Sequence, residues 1–526
     1  MRDIATASAK LVKKYQGSLS GEHGDGRVRG EFIPLMIGDD NYALLQRIKQ
    51  TWDPKHLLNP GKIVDAPPMD QSLRYLQDVP APEIETVFDF SDSGGILKMA
   101  EKCSGSGDCR KLAHVSGGVM CPSYMATRNE KDSTRARANT LREFLTRSQN
   151  GENRFAHEAL HEVMDLCLSC KGCTSECPSN VDMTTLKAEF LHHYYQSKGV
   201  PLRARVFGNI GRINALAARI PAISNFVLGN ALSGGILKRI LGIARQRSLP
   251  PVQKPLRSWH KKKFGGTVPE SRNEVKGVLY FFCDEFTNYN DTGVGKKAIE
   301  LLMRLGYEVR VPEHAPSGRA QLSKGLLKDA RALAQQNVAI FKNLVSETTP
   351  LVGIEPSAIL SFRDEYPKLV APEDRAAAKV LGNHALLLEE FILREAEKGN
   401  ITPDQFTSEP RTVHLHGHCH QKALADVRAS AWALALPRNY QVEIIPSGCC
   451  GMAGSFGYEA EHYPVSMQIG ALVLFPAIQK LGTDITIAAP GTSCRHQILD
   501  GTGRRALHPA EVLWEAVLKT GQSKSG

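Results

Sequence analysis

The sequence predicts a multi-domain α+β protein in which helices around cysteine-bearing loops precede a region of alternating strands and helices. The chain has 526 residues, enough for about three domains. Seven of its twelve cysteines lie between positions 103 and 177, in loops between helical patterns. From about residue 276, short apolar runs alternate with amphipathic helical patterns, which indicates βαβ units around parallel sheets.

Proline, glycine and charge patterns divide the chain into six segments. They are a short helical piece (1–65), a linker (66–95), a helical cysteine module (96–200), a basic helical connector (201–270) and two α/β halves (276–400 and 401–526). Helices are predicted at 135–145, 183–195, 295–305 and 322–345. Strands are predicted at 278–282, 307–311, 350–354, 412–415, 442–445 and 485–488.

The most specific motif of the module is a run of four cysteines closed by proline, formed by Cys167, Cys170, Cys173, Cys177 and Pro178. The two-residue gaps let three thiolates surround one iron–sulfur cube, while the fourth points to a second cluster. A zinc knuckle, the alternative, usually takes two separated Cys-x-x-Cys pairs. The run therefore predicts a 4Fe-4S cluster.

An altered copy of this run lies upstream, with Cys103 and Cys109 flanking a serine and Cys121 preceding a proline. If the clusters exchange fourth ligands, Cys121 completes the first cluster. Cys103, Cys109 and Cys177 then hold a second cluster that is one thiolate short. That site is a three-iron cluster, or takes a fourth ligand from Ser106, Asp108 or water. Loop cysteines without metal are the alternative for Cys103 and Cys109.

A third cysteine group follows three predicted strands of the last half. Cys419, Cys449, Cys450 and Cys494 each lie in a loop after a strand end, where open α/β sheets bind ligands. Four thiols there predict a further iron–sulfur cluster, or zinc with help from His418 or His420. Small buried cysteines in glycine-rich turns are the structural alternative.

The net charge of +10 is concentrated in the connector, since residues 190–269 contain 14 Lys and Arg and no Asp or Glu. A basic amphipathic segment fits the anionic surface of a membrane. The alternative is an ordinary helix pair whose basic face is solvated or contacts a partner subunit. Few aromatic residues accompany the charges, which argues against nucleic acid. Stretch 220–237, the longest without charge, is too polar for a membrane span.

Cysteines in metal-type spacing indicate a reducing compartment. We therefore expect a cytoplasmic protein, with peripheral contact to the inner face of the membrane as a further expectation.

The last cysteine group resembles the cysteine-rich CCG domain of the glycolate oxidase iron–sulfur subunit and of heterodisulfide reductase subunits. The carrying residues are Cys419, the Cys449-Cys450-Gly451 triplet and Cys494. The half before it resembles a degenerate copy, because Pro316-Ser317-Gly318 and Ala358 stand where that domain has cysteines. Cys283 alone remains there, so the resemblance implies a scaffold role for this half.

The first segment resembles the C-terminal end of FAD-linked oxidases of the vanillyl-alcohol oxidase type. The resemblance rests on the glycine-rich stretch 17–26, on 52–55 and on 58–62. It implies that His23 takes the substrate hydroxyl proton, that Glu22 is a metal ligand near the substrate, and that Asn59 lies close to the flavin. Taken alone, Glu-His in a glycine-rich loop is typical of a polar turn.

The order of these motifs resembles the C-terminal half of the fused FAD and iron–sulfur dehydrogenases of D-2-hydroxy acids such as D-lactate or D-2-hydroxyglutarate. The resemblance implies the end of an FAD-linked oxidase C-terminal domain, a helical dicluster ferredoxin-like domain and a duplicated α/β cysteine-rich domain. We expect no FAD-binding domain in this chain, so that FAD comes with a flavin-binding half or subunit. Electrons would pass to a quinone, a cytochrome or a soluble carrier. The alternative is a non-catalytic electron-transfer subunit of another redox complex.

Overall fold

The computed structural model describes residues 2–71, 73, 82–112, 118–148, 153–265 and 275–518. The chain divides into two compact units, Met1–Ala81 and Pro82–Gly526. The first unit is helical and consists of α1 (Arg2–Lys14), α2 (Ile33–Ile37) and α3 (Asp39–Trp52).

The second unit begins with the cysteine module. Its helices are α4 (Ile96–Glu101), α5 (Pro122–Thr127), α6 (Thr134–Arg147), α7 (Glu158–Asp165), α8 (Gly172–Glu176) and α9 (Met183–Lys198). Ser133 and Asp182 start α6 and α9, because their side chains accept hydrogen bonds from the free N–H groups of the first turn. The predicted helices at 135–145 and 183–195 are thereby confirmed.

The connector is helical throughout most of its length. Its helices are α10 (Leu202–Gly208), α11 (Ile210–Ala217), α12 (Pro221–Gly229), α13 (Ala231–Ile240) and α14 (Leu256–Phe264). Among the described residues, no helix has both the length and the apolar character that crossing a bilayer requires.

The first α/β half contains a four-stranded parallel sheet in the order β2-β1-β3-β4. Its strands are β1 (Gly277–Phe281), β2 (Tyr307–Arg310), β3 (Leu351–Gly353) and β4 (Ala385–Leu387). Its helices are α15 (Glu285–Tyr289), α16 (Thr292–Arg304), α17 (Arg319–Ser323), α18 (Leu327–Phe341), α19 (Pro356–Ile359), α20 (Glu365–Leu369), α21 (Arg375–Asn383) and α22 (Leu388–Glu397).

The second half contains a three-stranded parallel sheet in the order β6-β5-β7. Its strands are β5 (Arg411–Leu415), β6 (Tyr440–Ile444) and β7 (Thr486–Ala488). Its helices are α23 (Cys419–Leu424), α24 (Val427–Leu434), α25 (Tyr463–Leu472), α26 (Leu474–Gln479), α27 (Thr492–Thr502) and α28 (Pro509–Ala516). All six predicted strands are present, which confirms a mixed, helix-rich α/β fold with small parallel sheets.

The single long helix predicted at 322–345 is wrong, because the chain forms α17 and α18 with a break between them. Gly325 adopts φ +67° in this break and lies against Leu191 of α9, where a side chain would collide. A left-handed glycine ends a helix readily. The break therefore lets the module pack closely on the first half.

One continuous apolar core joins the cysteine module to the first half. Within the predicted linker, Val87, Phe88 and Phe90 are buried in this core. The fully buried carboxylate of Glu189 on α9 accepts the backbone N–H groups of Val87 and Phe88, at 2.8 and 2.9 Å. The chain from about residue 87 is thus fixed to the module by packing and by charge-assisted hydrogen bonds.

Candidate metal centres

The run Cys167–Cys177 lies between α7 and α9 and includes the short helix α8. Ser169 and Lys171 have positive φ, so the loop turns sharply around Cys170. The Lys171 side chain is buried and forms ion pairs with Asp364 and, at 2.6 Å, with Glu365 of the first half. Removing both carboxylates would leave the buried Lys171 charge unpaired. This network fixes the loop against the α/β region.

The Cys121 loop is fastened to the same run. Glu176 of α8 accepts the N–H groups of Val119 and Met120, at 2.7 and 3.1 Å. Gly172 allows this approach, since a Cβ there would lie 2.9 Å from the Met120 nitrogen. The Thr134 N–H donates to the Cys121 sulfur at 3.0 Å. The sulfur is thereby held next to the run.

The structure places Cys121 within electrostatic range of Cys167 and Cys173, and Cys170 within range of the same two cysteines. Burial raises the pKa of Cys121 to about 12 and raises the pKa of Cys170 and Cys173 well above the ordinary thiol range. A buried thiolate without a cation is costly, and a cationic iron–sulfur core offsets that cost. Four grouped thiols, of which Cys167 is half-buried and the other three are buried, therefore fit one cluster, although the ligand assignment itself stays a prediction.

The cysteines of the second predicted cluster, Cys103, Cys109 and Cys177, are buried in the core that also contains Cys121. The Ser104 and Ser179 hydroxyls are 2.8 Å apart, so the loops of Cys103 and Cys177 meet. Cys109 lies within electrostatic range of both Cys103 and Cys121.

Two of the suggested fourth ligands for this site are engaged elsewhere or are open to solvent. The Asp108 carboxylate is paired with Lys111, which lowers its pKa, and the Ser106 residue is exposed. The number and type of iron atoms at this site stay a prediction.

The third cysteine group lies at the carboxyl ends of β5, β6 and β7. The sulfur of Cys449 contacts those of Cys419 and Cys450, and the sulfur of Cys450 also contacts that of Cys494. Hydrogen bonding from Cys449 lowers the pKa of Cys419 to about 6 and lowers the pKa of Cys450 well below the ordinary thiol value, while the pKa values of the donors Cys449 and Cys494 rise. Four sulfur atoms thus converge in one buried place.

His416, which the sequence reasoning did not select, completes this group. One of its ring nitrogens lies within 4.8 Å of the Cys450 and Cys494 sulfur atoms, which are themselves within that distance of each other. Its Nδ1 is 2.7 Å from the Ser447 hydroxyl, and its buried Nε2 has no hydrogen-bond partner among the described residues. An orphaned nitrogen beside thiols fits a metal ligand. The sequence signal that could have indicated His416 is its place directly after a predicted strand.

The histidines suggested as zinc ligands have other partners. The His418 Nδ1 accepts the N–H of His420 and begins α23, and the His420 Nε2 lies 3.1 Å from the Ser169 carbonyl oxygen. The half-buried Lys422 donates from its ammonium group to the Ser447 and Gly448 carbonyls and interacts with all four thiols. A positive charge here favours thiolates.

The first and third cysteine groups are neighbours. Cys170 of the run lies within electrostatic range of Cys419. Both sulfurs belong to one buried apolar cluster, which consists of Val119, Leu168, Cys170, Cys419, Cys449, Phe456 and Ile469. A Cβ at Gly448 would lie 2.8 Å from the Gly118 carbonyl oxygen, which illustrates how closely the two loops pack. About 250 residues separate these groups along the chain, and the fold joins them.

The candidate catalytic residues lie in the first unit and are open to solvent. The side chains of Glu22 and His23 are 90% and 80% exposed, and the His23 Nε2 lies 3.7 Å from a Glu22 carboxylate oxygen. Asn59 is exposed with φ +47°, and its side-chain oxygen accepts from Lys62 at 3.3 Å. The roles of these three residues stay predictions.

The corresponding place in the first half has a different character. Cys283 is buried beside Asn288, and burial raises its pKa to about 12. Its neighbour His314 is engaged on both ring nitrogens, with Arg257 at 2.7 Å and the Ala315 carbonyl at 2.7 Å. A lone thiol with saturated neighbours agrees with the scaffold role that the resemblance implied.

Two family models match parts of the chain. Residues 1–63 match the model described as FAD linked oxidases, C-terminal domain, and residues 102–182 match the one described as 4Fe-4S dicluster domain. These matches confirm the resemblance in both segments. Together with the grouped cysteines they support iron–sulfur clusters. Neither of these two models covers 276–526, where the duplicated cysteine-rich domain stays a prediction.

The chain is 29% identical over 561 residues to D-2-hydroxyglutarate dehydrogenase of Escherichia coli (strain K12), covering 98% of this chain and 53% of that protein. It is 28% identical over 288 residues to one subunit of the anaerobic glycerol-3-phosphate dehydrogenase of the same strain, covering 54% of this chain and 69% of that protein. It is 25% identical over 391 residues to the probable glycolate oxidase iron-sulfur subunit of Bacillus subtilis (strain 168), covering 68% and 83%.

The chain thus spans about half the length of the D-2-hydroxyglutarate dehydrogenases that it matches. No solved structure gives a significant match. The segment matches and the dehydrogenase relatives together support a redox role in electron transfer.

Proposed function

We propose that this chain is the iron–sulfur portion of a flavin-dependent D-2-hydroxy-acid dehydrogenase. It would pass electrons from a flavin to an external acceptor, which is a quinone, a cytochrome or a soluble carrier. The observation that carries the proposal is the contact between the Cys170 loop and the Cys419–Cys449 site, in a chain whose first 63 residues match an FAD-linked oxidase domain. Bound iron–sulfur clusters accept and release single electrons.

The protein's own residues would hold the two neighbouring centres at a fixed separation. Lys171 fastens the run to the first half, and Glu176 fastens the Cys121 loop to the run. The His420 ring adds a contact from α23 to the carbonyl of Ser169. Because each contact involves buried or charge-assisted partners, the separation between the centres would vary little.

A flavin-binding half or subunit is the expected partner of the first unit. Large apolar side chains are exposed at a spacing of seven residues on α1 and of four residues on α3, namely Ile4, Leu11, Leu44, Ile48 and Trp52. Such uncovered stripes are typical of helices that pack on a partner. In the completed site, His23 would take the substrate hydroxyl proton and Glu22 would bind a metal ion, as the resemblance implies.

Reconstitution with a matching flavin protein tests the proposal. The pair should reduce a dye with a D-2-hydroxy acid, and His23→Ala should lower the rate by a factor of about 100 or more. His56→Ala, which removes another exposed histidine of the same unit, is the matched control and should leave the rate unchanged. Iron, sulfide and low-temperature EPR of both variants should equal those of the parent.

The second candidate is a non-catalytic electron-transfer subunit of another redox complex. Its support is the similarity to a subunit of anaerobic glycerol-3-phosphate dehydrogenase over 54% of the chain. Unchanged dye reduction by the His23→Ala pair would favour this candidate and would remove the catalytic assignment. If the purified chain contains too little iron and sulfide for even one cluster, both candidates are refuted.

A further inference from the structure

The helices α12 and α13 of the connector form a hairpin in which most residues are exposed or half-buried. α12 has no buried residue, and Gly234 is the single buried residue of α13. Gly234 lets the helices touch, since a Cβ there would lie 2.6 Å from the Leu228 carbonyl oxygen. Asn230 starts α13 by accepting the N–H groups of Leu232 and Ser233.

The exposed side chains of this hairpin and of the turn before it are large and apolar. Between 57% and 78% of each residue is exposed in the set Ile220, Ile223, Phe226, Leu232, Ile236 and Ile240. The last three recur every four residues and therefore share one side of α13. An exposed apolar surface of this kind is typical of an interaction site in a folded protein.

The connector is anchored firmly, so these side chains are held outward and do not belong to a core that has yet to form. The fully buried Arg247 donates to Asp500 at 2.8 Å and to the Ser466 hydroxyl at 2.9 Å. Arg203 pairs with Glu461 at 3.0 Å. The Ala244 N–H donates to the Tyr458 carbonyl at 2.7 Å.

The arginines of the connector fall into two groups. Arg203 and Arg247 meet acidic partners in the second half, and Arg257 meets Glu313 in the first half. Five other arginines are exposed and form no ion pair within the described residues, namely Arg205, Arg212, Arg219, Arg239 and Arg245. Because residues 190–269 include no Asp or Glu, this segment attracts anions and contributes no carboxylate that would repel an anionic partner.

We propose that the α12–α13 hairpin binds the surface of an anionic lipid bilayer. Its apolar side chains would enter the boundary between headgroups and acyl chains, and the exposed arginines would bind lipid phosphates. The combination of apolar stripe and unpaired arginines favours lipid, because a protein partner complementary to the stripe alone would not need five free cations. The inference depends on neither the substrate nor the cluster assignments of the proposed function.

Flotation of the anaerobically purified full chain with vesicles tests the inference. Binding should be strong to vesicles of phosphatidylcholine with phosphatidylglycerol, and at least tenfold weaker to phosphatidylcholine alone. Leu232→Ser/Ile236→Ser should weaken binding to the mixed vesicles at least tenfold, and Arg212→Gln/Arg219→Gln should weaken it at low salt. Val380→Ser/Leu499→Ser replaces exposed apolar residues elsewhere and should have no effect.

The alternatives give different results. If Leu232→Ser/Ile236→Ser binds the mixed vesicles as the parent does, the hairpin is not the contact and the inference fails. If the parent ignores vesicles but forms a dimer that this variant abolishes, the hairpin contacts a second copy of the chain and the inference fails as well. Because the changed side chains are exposed, unaltered iron content and unfolding midpoint should accompany the loss of binding. A lower iron content or a lower unfolding midpoint would identify misfolding of this variant. The binding of Arg212→Gln/Arg219→Gln to the mixed vesicles at low salt would then decide whether the inference holds.

Discussion

Glu389 of α22 offers a sharp test of the described packing. Its residue is fully buried, and neither carboxylate oxygen has a hydrogen-bond partner among the described residues. Burial raises the pKa of this carboxyl group from 4.5 to about 7. We therefore expect Glu389→Gln, which keeps the shape and removes the ionisable proton, to stabilise the protein at high pH.

The sign and magnitude follow from proton linkage. In the unfolded chain the carboxyl group ionises near its ordinary pKa, whereas in the folded chain it stays protonated until about pH 7. Ionisation thus favours the unfolded state, and stability is lost as the pH rises from 4.5 to about 7. A shift of this size corresponds to about 3 kcal/mol. Glu389→Gln should recover about that amount at pH 8 and almost nothing at pH 4.5.

Urea unfolding at several pH values measures the difference. Glu397→Gln is the matched control, because it removes an exposed carboxylate from the same helix and should change stability by less than about 0.5 kcal/mol at every pH. If the gain of Glu389→Gln is the same at pH 4.5 and pH 8, the buried carboxyl group is not the cause. If there is no gain at pH 8, an unassigned partner neutralises it.

Two further predictions concern the metal centres. Glu176→Ala removes both acceptors that hold Val119 and Met120, so the purified variant should lose iron and EPR signal faster than the parent. Glu162→Ala, which breaks a surface ion pair, is the control and should lose them at the parent's rate. Equal rates of loss in the two variants would exclude a role for Glu176. Gly491→Ala places a Cβ against the His418 ring beside Cys494, so it should cost about 1–3 kcal/mol of stability and lower the metal content of the third cysteine group. Gly293→Ala, which meets open space, is its control, and a metal content equal to that control would refute the packing.

Much of this protein could be predicted from the spacing of residues that are close together in the chain. The run Cys167–Cys177 and the Cys449-Cys450 pair are short motifs whose chemistry depends on neighbours in the chain, so residue type and spacing suffice to indicate them. Strand positions were readable for the same reason, because apolar and β-branched residues that are neighbours in the chain mark each strand. The break at Gly325 was not, since its cause is the close approach of α9 from a distant part of the chain.

The position of His416 illustrates the same limit at the site. Its residue type and place after β5 are visible in the sequence, but the unpaired Nε2 beside Cys450 depends on how three strand ends converge. The connector is a second case, because its sequence is compatible with both a solvated and a lipid-facing helix pair. In the structure, large apolar side chains of α12 and α13 are exposed, which favours the lipid-facing helix pair. The sequence could not show this, because the burial of a side chain depends on the whole fold.

By itself, the sequence determined which cysteines form groups and that a flavin-oxidase segment precedes them. The tertiary structure alone decided that Cys170 lies beside Cys419, that Lys171 and Glu176 fasten these loops, and that the connector presents its apolar side outward. The physical reason is range. Ligand spacing and helix capping are set by residues a few positions apart, whereas proximity and burial arise from contacts between segments hundreds of residues apart.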